Sequence, residues 1–245
     1  MPAKTGTTSI QSALAAHRGY LRSQGIVYPD GRVPYRDAAI SHHLFAHSLT
    51  HASPTGWMEA TAFVVAVEAA LQKGERVLLS SEPVYRHQYG RPKDDFTIDA
   101  ATFWDRRLRY LEALRRVLAA FDVEVLLYFR ARDRLAESWY WDRTAEVGPQ
   151  GPLPAFIAAF EPWFDYERHV ATFRAVFPNV RIESYEDACD APGGLLPHFF
   201  RTIECTPPPD LADRREHRSA YGGDAFQTAE ARAAFLARYP ATVPR

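Results

Sequence analysis

Lys4-Thr5-Gly6-Thr7-Thr8-Ser9 brings an ammonium, a glycine and four hydroxyls together directly ahead of a helix-like apolar pattern. A helix N-terminus presents unpaired backbone N–H groups and a positive dipole end, so a segment of this kind attracts anions. Gly6 lets the backbone approach a ligand with no Cβ in the way, and Lys4 adds a compact full charge. The dipole alone contributes only about 0.3–2 kcal/mol, so useful affinity needs several converging donors. Taken alone, the same residues also read as a simple helix start, with Thr8 or Ser9 as the cap and Lys4 in solvent. Lysine precedes glycine here, whereas nucleoside-triphosphatase loops carry glycines before Lys-Ser/Thr. An ATP- or GTP-hydrolysing motor is therefore disfavoured.

A second cluster lies far along the chain. Val123–Phe129 reads as a buried strand, it ends at Arg130, and Ser138 follows one to two turns into the next helix. Magnesium-dependent P-loop enzymes often hold an aspartate for the metal at the corresponding strand end. An arginine there can instead fork onto a phosphate, with Ser138 donating to the same group. By themselves these two residues also fit a surface arginine and an intrahelical serine.

Together the two segments resemble the sulfotransferase family that uses 3′-phosphoadenosine 5′-phosphosulfate (PAPS), closest to bacterial members with carbohydrate-type acceptors. Lys4–Ser9 is similar to the 5′-phosphosulfate loop, and Tyr128–Tyr140 to the 3′-phosphate segment, with Arg130 and Ser138 on the binding positions. The likeness extends through residues 25–49, Leu78–Glu82, Asp165–Phe177 and Arg181–Asp187. It implies transfer of a sulfuryl group from PAPS to an acceptor hydroxyl or amine, without a metal. Lys4, Thr5, Gly6, Thr7, Thr8 and Ser9 would then hold the phosphosulfate, with Lys4 neutralising the leaving phosphate oxygen. Glu82 follows the 78–81 strand and is one candidate for the base; His42 and His43 are the others. Arg214, Arg215, His217 and Arg218 either close over the 3′-phosphate or form a solvated charged loop. Tyr85, Arg86, His87, Tyr89, Arg91 and Trp104 either face a polyhydroxylated acceptor or pack loops onto the sheet. Members of that family carry a hydrophobic strand immediately before the loop, so here the first strand is expected to be missing and the sequence to start late. A non-catalytic nucleotide-binding or interaction domain on the same scaffold is the second reading.

These groups must be positioned by the elements around them. Apolar periodicity predicts helices over 9–23, 56–72, 101–120, 153–160, 166–177 and 195–202, and strands over 26–28, 76–81, 123–129 and 180–184. Gly25 and Gly74 follow where helix stops are expected, and Asp133 is expected to cap the helix after the third strand. Residues 83–99 and 206–224 read as loops, the latter ahead of a final helix. Strands separated by helices favour an α/β fold, a P-loop-like three-layer sandwich with a mostly parallel central sheet. At 245 residues, 47% hydrophobic and 24% charged, the chain fits one domain spanning 1–245. A net charge of −1 gives no general attraction to nucleic acid. No apolar run approaches the length of a membrane span. Two cysteines are too few for a disulfide scaffold, so reduced thiols and a cytoplasmic location are expected.

Overall fold

The computed structural model describes residues 6–30, 42–50, 53–91, 98–211, 226 and 228–240. Its elements begin with α1 (Thr7–Ala16), α2 (Arg18–Ser23), β1 (Ile26–Val27), α3 (His43–Ser48), α4 (Pro54–Ala70) and β2 (Arg76–Val77). Then come α5 (Pro83–Arg86), α6 (Phe103–Val117), β3 (Glu124–Phe129), α7 (Arg132–Val147), α8 (Leu153–Ala159), a 3-10 turn (Glu161–Phe164) and α9 (Tyr166–Arg174). The order closes with β4 (Asn179–Ser184), α10 (Tyr185–Asp190), α11 (Leu195–Thr202) and α12 (Ala229–Arg238). The described residues are thus mixed α/β, with twelve α-helices and two parallel two-stranded sheets, β1–β2 and β3–β4.

Parallel partners need a crossover. α3 and α4 lie in the connection from β1 to β2, and α7, α8 and α9 in that from β3 to β4. β3 buries both faces, because successive side chains alternate between the two apolar clusters. Val77, Leu79, Val125, Leu127, Phe129, Val180 and Ile182 belong to one apolar cluster, which α4, α6 and α9 cover with residues such as Val64, Leu111 and Phe173. Ile26, Tyr28, Leu78, Leu126 and Tyr128 belong to a second cluster with Ile10 and Leu14 of α1, Leu21 of α2 and Phe199 of α11.

The boundaries depart from the sequence reading for local reasons. The helix expected over 9–23 breaks at His17, whose ring Nδ1 lies 2.7 Å from Ala13 O and shares that carbonyl with the backbone. The second strand stops at Val77 because Ser80 spends its peptide groups on His42: His42 N–H donates to Ser80 O at 3.0 Å, and Ser80 N–H to His42 Nδ1 at 2.9 Å. Short helices α3, α5 and α10 stand where no helix was expected. Asp133 does not cap α7; Ala131 is the N-cap, and Asp133 sits in the first turn paired with Arg232 of α12.

Arg132 ties this region together from inside. It is fully buried, donates to Phe164 O at 3.0 Å and to Pro240 O, and pairs with Glu167 at 2.5 Å. Its guanidinium also stacks 4.6 Å from the Tyr166 ring centroid. Removing the donor leaves buried carbonyls unpaired, so Arg132→Ala should lower stability by about 3 kcal/mol. Urea denaturation should report this as a lower midpoint with an unchanged slope.

Candidate functional site

α1 starts from Gly6, which adopts the left-handed conformation at φ 66°, ψ 20° and gives no side-chain cap. Ile10 N–H makes the first helical bond, to Gly6 O at 3.0 Å. The N–H groups of Thr7 and Thr8 are left without a backbone acceptor among the described residues. Thr7 is buried at 4% exposure, and its hydroxyl has no hydrogen-bond partner there. One turn later Gln11 is also buried and donates to Ser80 Oγ at 3.2 Å, which anchors α1 to the carboxyl side of β2. Next to Ser80, the Ser81 hydroxyl is likewise buried and unpartnered.

Gly6 is needed for packing as well as for its backbone angle. A Cβ there would lie 2.4 Å from Leu195 Cδ2 and 3.3 Å from Tyr185 Cε2. The space freed by the glycine is thus filled by the protein itself.

Tyr185 follows β4 directly, and the guanidinium carbon of Arg130 lies 5.7 Å from the centroid of its ring. The Gly6 turn and Arg130, which stand 124 positions apart in the chain, therefore lie beside the same aromatic ring at the carboxyl ends of β3 and β4. Glu186 fixes the arginine's surroundings. Its carboxylate accepts from Ala131 N–H at 3.0 and 3.1 Å and lies 4.0 Å from Arg130 Nε. Tyr166 Oη donates to Arg130 O at 2.9 Å. An anion arriving at Arg130 would share the guanidinium with Glu186.

No protein-family model, curated protein or solved structure matches the chain.

Of the residues singled out in the sequence, Gly6, Thr7, Thr8, Ser9 and Arg130 gather at one end of the strands. Lys4, Thr5 and Arg218 lie outside the described residues, as do Arg214, Arg215 and His217. Ser138 sits half-buried in α7, with no contact to the Gly6 turn described. Glu82 is half-buried at the start of α5, where Pro83 takes the first helical position, and its carboxylate makes no cap bond. His42 is a structural staple. Because Ser80 N–H donates to its Nδ1, the neutral ring carries its proton on Nε2, which lies 3.1 Å from Pro29 O and donates to it. His43 begins α3, and its buried Nε2 has no partner among the described residues. Burial first, then neighbouring His47 and Arg86, lower its pKa to about 4.

Several acceptor candidates belong to the core instead. Tyr85 is 2% exposed and lies 4.3 Å from the His169 ring; His87 is buried, with Nε2 2.6 Å from His47 Nδ1. Trp104 packs on His169 at 4.8 Å and under Arg168 at 4.7 Å. Tyr185 and Glu186 were not singled out for the site. Their position directly after a strand, where parallel sheets gather functional groups, was the available signal.

Two outcomes follow. Gly6→Ala forces a strained φ and a clash, so it should lower stability by about 2 kcal/mol, read as a lower thermal midpoint; Leu195→Ala added to it should restore only the part due to the clash. Burial also holds His42 at a pKa of about 4, His87 at about 2, and His169 well below the ordinary value of 6.5. Between pH 6.5 and 4 the unfolded chain takes up protons that these buried rings refuse. Unfolding free energy, measured by urea titration, should therefore fall as pH is lowered through that window and be flat above about pH 7.5.

Proposed function

We propose that the protein is a sulfotransferase that moves a sulfuryl group from PAPS to a hydroxyl or amine of an acceptor, a carbohydrate by the sequence likeness. The observation that carries this reading is the meeting of the Gly6 turn and Arg130 on the Tyr185 ring. An N-terminal helix anion site and a strand-end guanidinium there share one end of parallel strands. The buried, unpartnered Thr7 hydroxyl fits a turn that takes an anionic group. The alternation of strand residues between two helix-covered clusters supports a P-loop-like three-layer sandwich formed by a single domain.

When bound, the nucleotide supplies a sulfuryl group attached to a phosphate that leaves. In this reading the Thr7 and Thr8 N–H groups and the Thr7 hydroxyl orient its 5′ end, with Lys4 opposing charge on the departing oxygen. Arg130 holds the 3′-phosphate, with Ser138 donating and Arg218 closing over it. A base removes the acceptor's proton. His43, weakened by burial, is a poor base near neutral pH, which favours Glu82. A cytoplasmic location goes with this reading, since neither Cys189 nor Cys205 is joined in a disulfide. Among the described residues, no helix is long and apolar enough to cross a membrane.

Calorimetry with adenosine 3′,5′-bisphosphate should show binding stronger than that of magnesium-ATP, and preference for magnesium-ATP would overturn the proposal. Arg130→Ala should weaken bisphosphate binding about tenfold to a hundredfold. Lys4→Ala should remove nearly all transfer with an unchanged circular dichroism spectrum; full activity would refute its role. Bisphosphate binding without transfer to any hydroxylated acceptor would favour a non-catalytic nucleotide-binding domain.

A further inference from the structure

Histidines gather beside the carboxyl side of β2, in the elements next to Glu82. His43 and His47 stand one turn apart on α3, with ring centroids 6.3 Å apart. His87, directly after α5, places its ring 4.7 Å from that of His47 and its Nε2 2.6 Å from His47 Nδ1. Arg86 is the last residue of α5, the short helix that follows Glu82. His42 holds the head of α3 to the strand end through its two bonds with Ser80. His43, His47 and Arg86 are half-buried, whereas His87 is buried. The charges around these rings have one sign. His47, Arg86 and His42 act on His43, and His47, Arg86, Arg107 and His43 act on His87; each opposes protonation, and none is a carboxylate. Tyr110 of α6 meets His87 edge-on at 5.7 Å, and its hydroxyl donates to Ala46 O. His43 Nε2 is buried and has no partner among the described residues.

We propose that His43, His47 and Arg86 form an anion site, and that the group it takes is a carboxylate or sulfate carried by the acceptor. This rests on the transferase reading and narrows it: the acceptor is an acidic sugar or another hydroxylated anion, held by its charged group beside Glu82. Positive charge withdrawn from water calls for a negative partner. A neutral sugar could bond His43 Nε2 but would leave that charge unbalanced. The His47–His87 pair is suited to the task. Two neutral imidazoles at 2.6 Å share one proton, one ring donating and the other accepting. A further proton makes one ring an imidazolium that still donates to the other, so the pair gains a charge without losing its bond. An anion beside these rings favours their protonated forms, and its own binding therefore tightens as pH falls.

The test titrates the 245-residue chain, without nucleotide and at constant ionic strength, with methyl glucuronide, methyl glucoside and sodium sulfate. Calorimetry reads affinity, and NMR follows the histidine ring resonances. The glucuronide should shift the His43 and His47 resonances and bind at least about threefold tighter at pH 5 than at pH 7. The glucoside should bind about tenfold more weakly, and His43→Gln and Arg86→Gln should each cost the glucuronide about tenfold with an unchanged circular dichroism spectrum. No binding of the glucuronide, equal binding of the glucoside, or unchanged binding in both variants would overturn the proposal. Sulfate that binds as tightly as the glucuronide and shifts the same two histidines would overturn the acceptor assignment, making this a site for a free inorganic anion. Glucuronide binding as expected, beside a failure of adenosine 3′,5′-bisphosphate to bind, would sink the transferase reading and leave the anion site standing.

Discussion

Parallel pairing is the constraint on which this molecule turns. A parallel strand cannot return by a tight turn, so each pair recruits helices to carry the chain back. Both ends of the molecule then acquire a character. The amino ends of β2 and β3 collect ion pairs such as Arg76–Glu204 and Arg181–Glu124, each at 3.0 Å. The carboxyl ends collect the Gly6 turn, Ser80, Ser81, Glu82, Arg130 and Tyr185. Residues far apart in the chain meet there, and within each pair the strands point the same way.

Much of the fold was legible because apolar periodicity reports burial. Val123–Phe129 stood out as a strand since both faces are covered, and α4 showed its stripe through Ala60, Val64 and Val67. What escaped was decided by single side chains bonding to the backbone. No periodicity announces that His17 will take a share of Ala13 O, or that His42 will occupy Ser80 and end a strand. Ordinary turn chemistry likewise hides α3, α5 and α10, which span only four to six residues each.

The site was legible in part for a related reason. Gly6 and Arg130 mark themselves by type and by their place at the edge of an element. Tyr185, which joins them, offers only its place directly after a strand. The aromatic residues between 83 and 104 show the converse. Their composition fits a sugar-binding surface, yet Tyr85, His87 and Trp104 pack around the buried rings of His169 and Tyr110. Composition cannot distinguish an aromatic that faces a ligand from one that faces another aromatic.

Leu195 fills the hollow that Gly6 leaves, and it is also the first residue of α11. The turn at the head of α1 is therefore braced by a helix from the far end of the chain. Volume at these two positions is shared: a bulkier group at one must be matched by a smaller group at the other. A shift of α11 along its axis therefore reaches the first turn of α1 through Leu195 as well as through the apolar cluster that Leu196 and Phe199 share with Ile10.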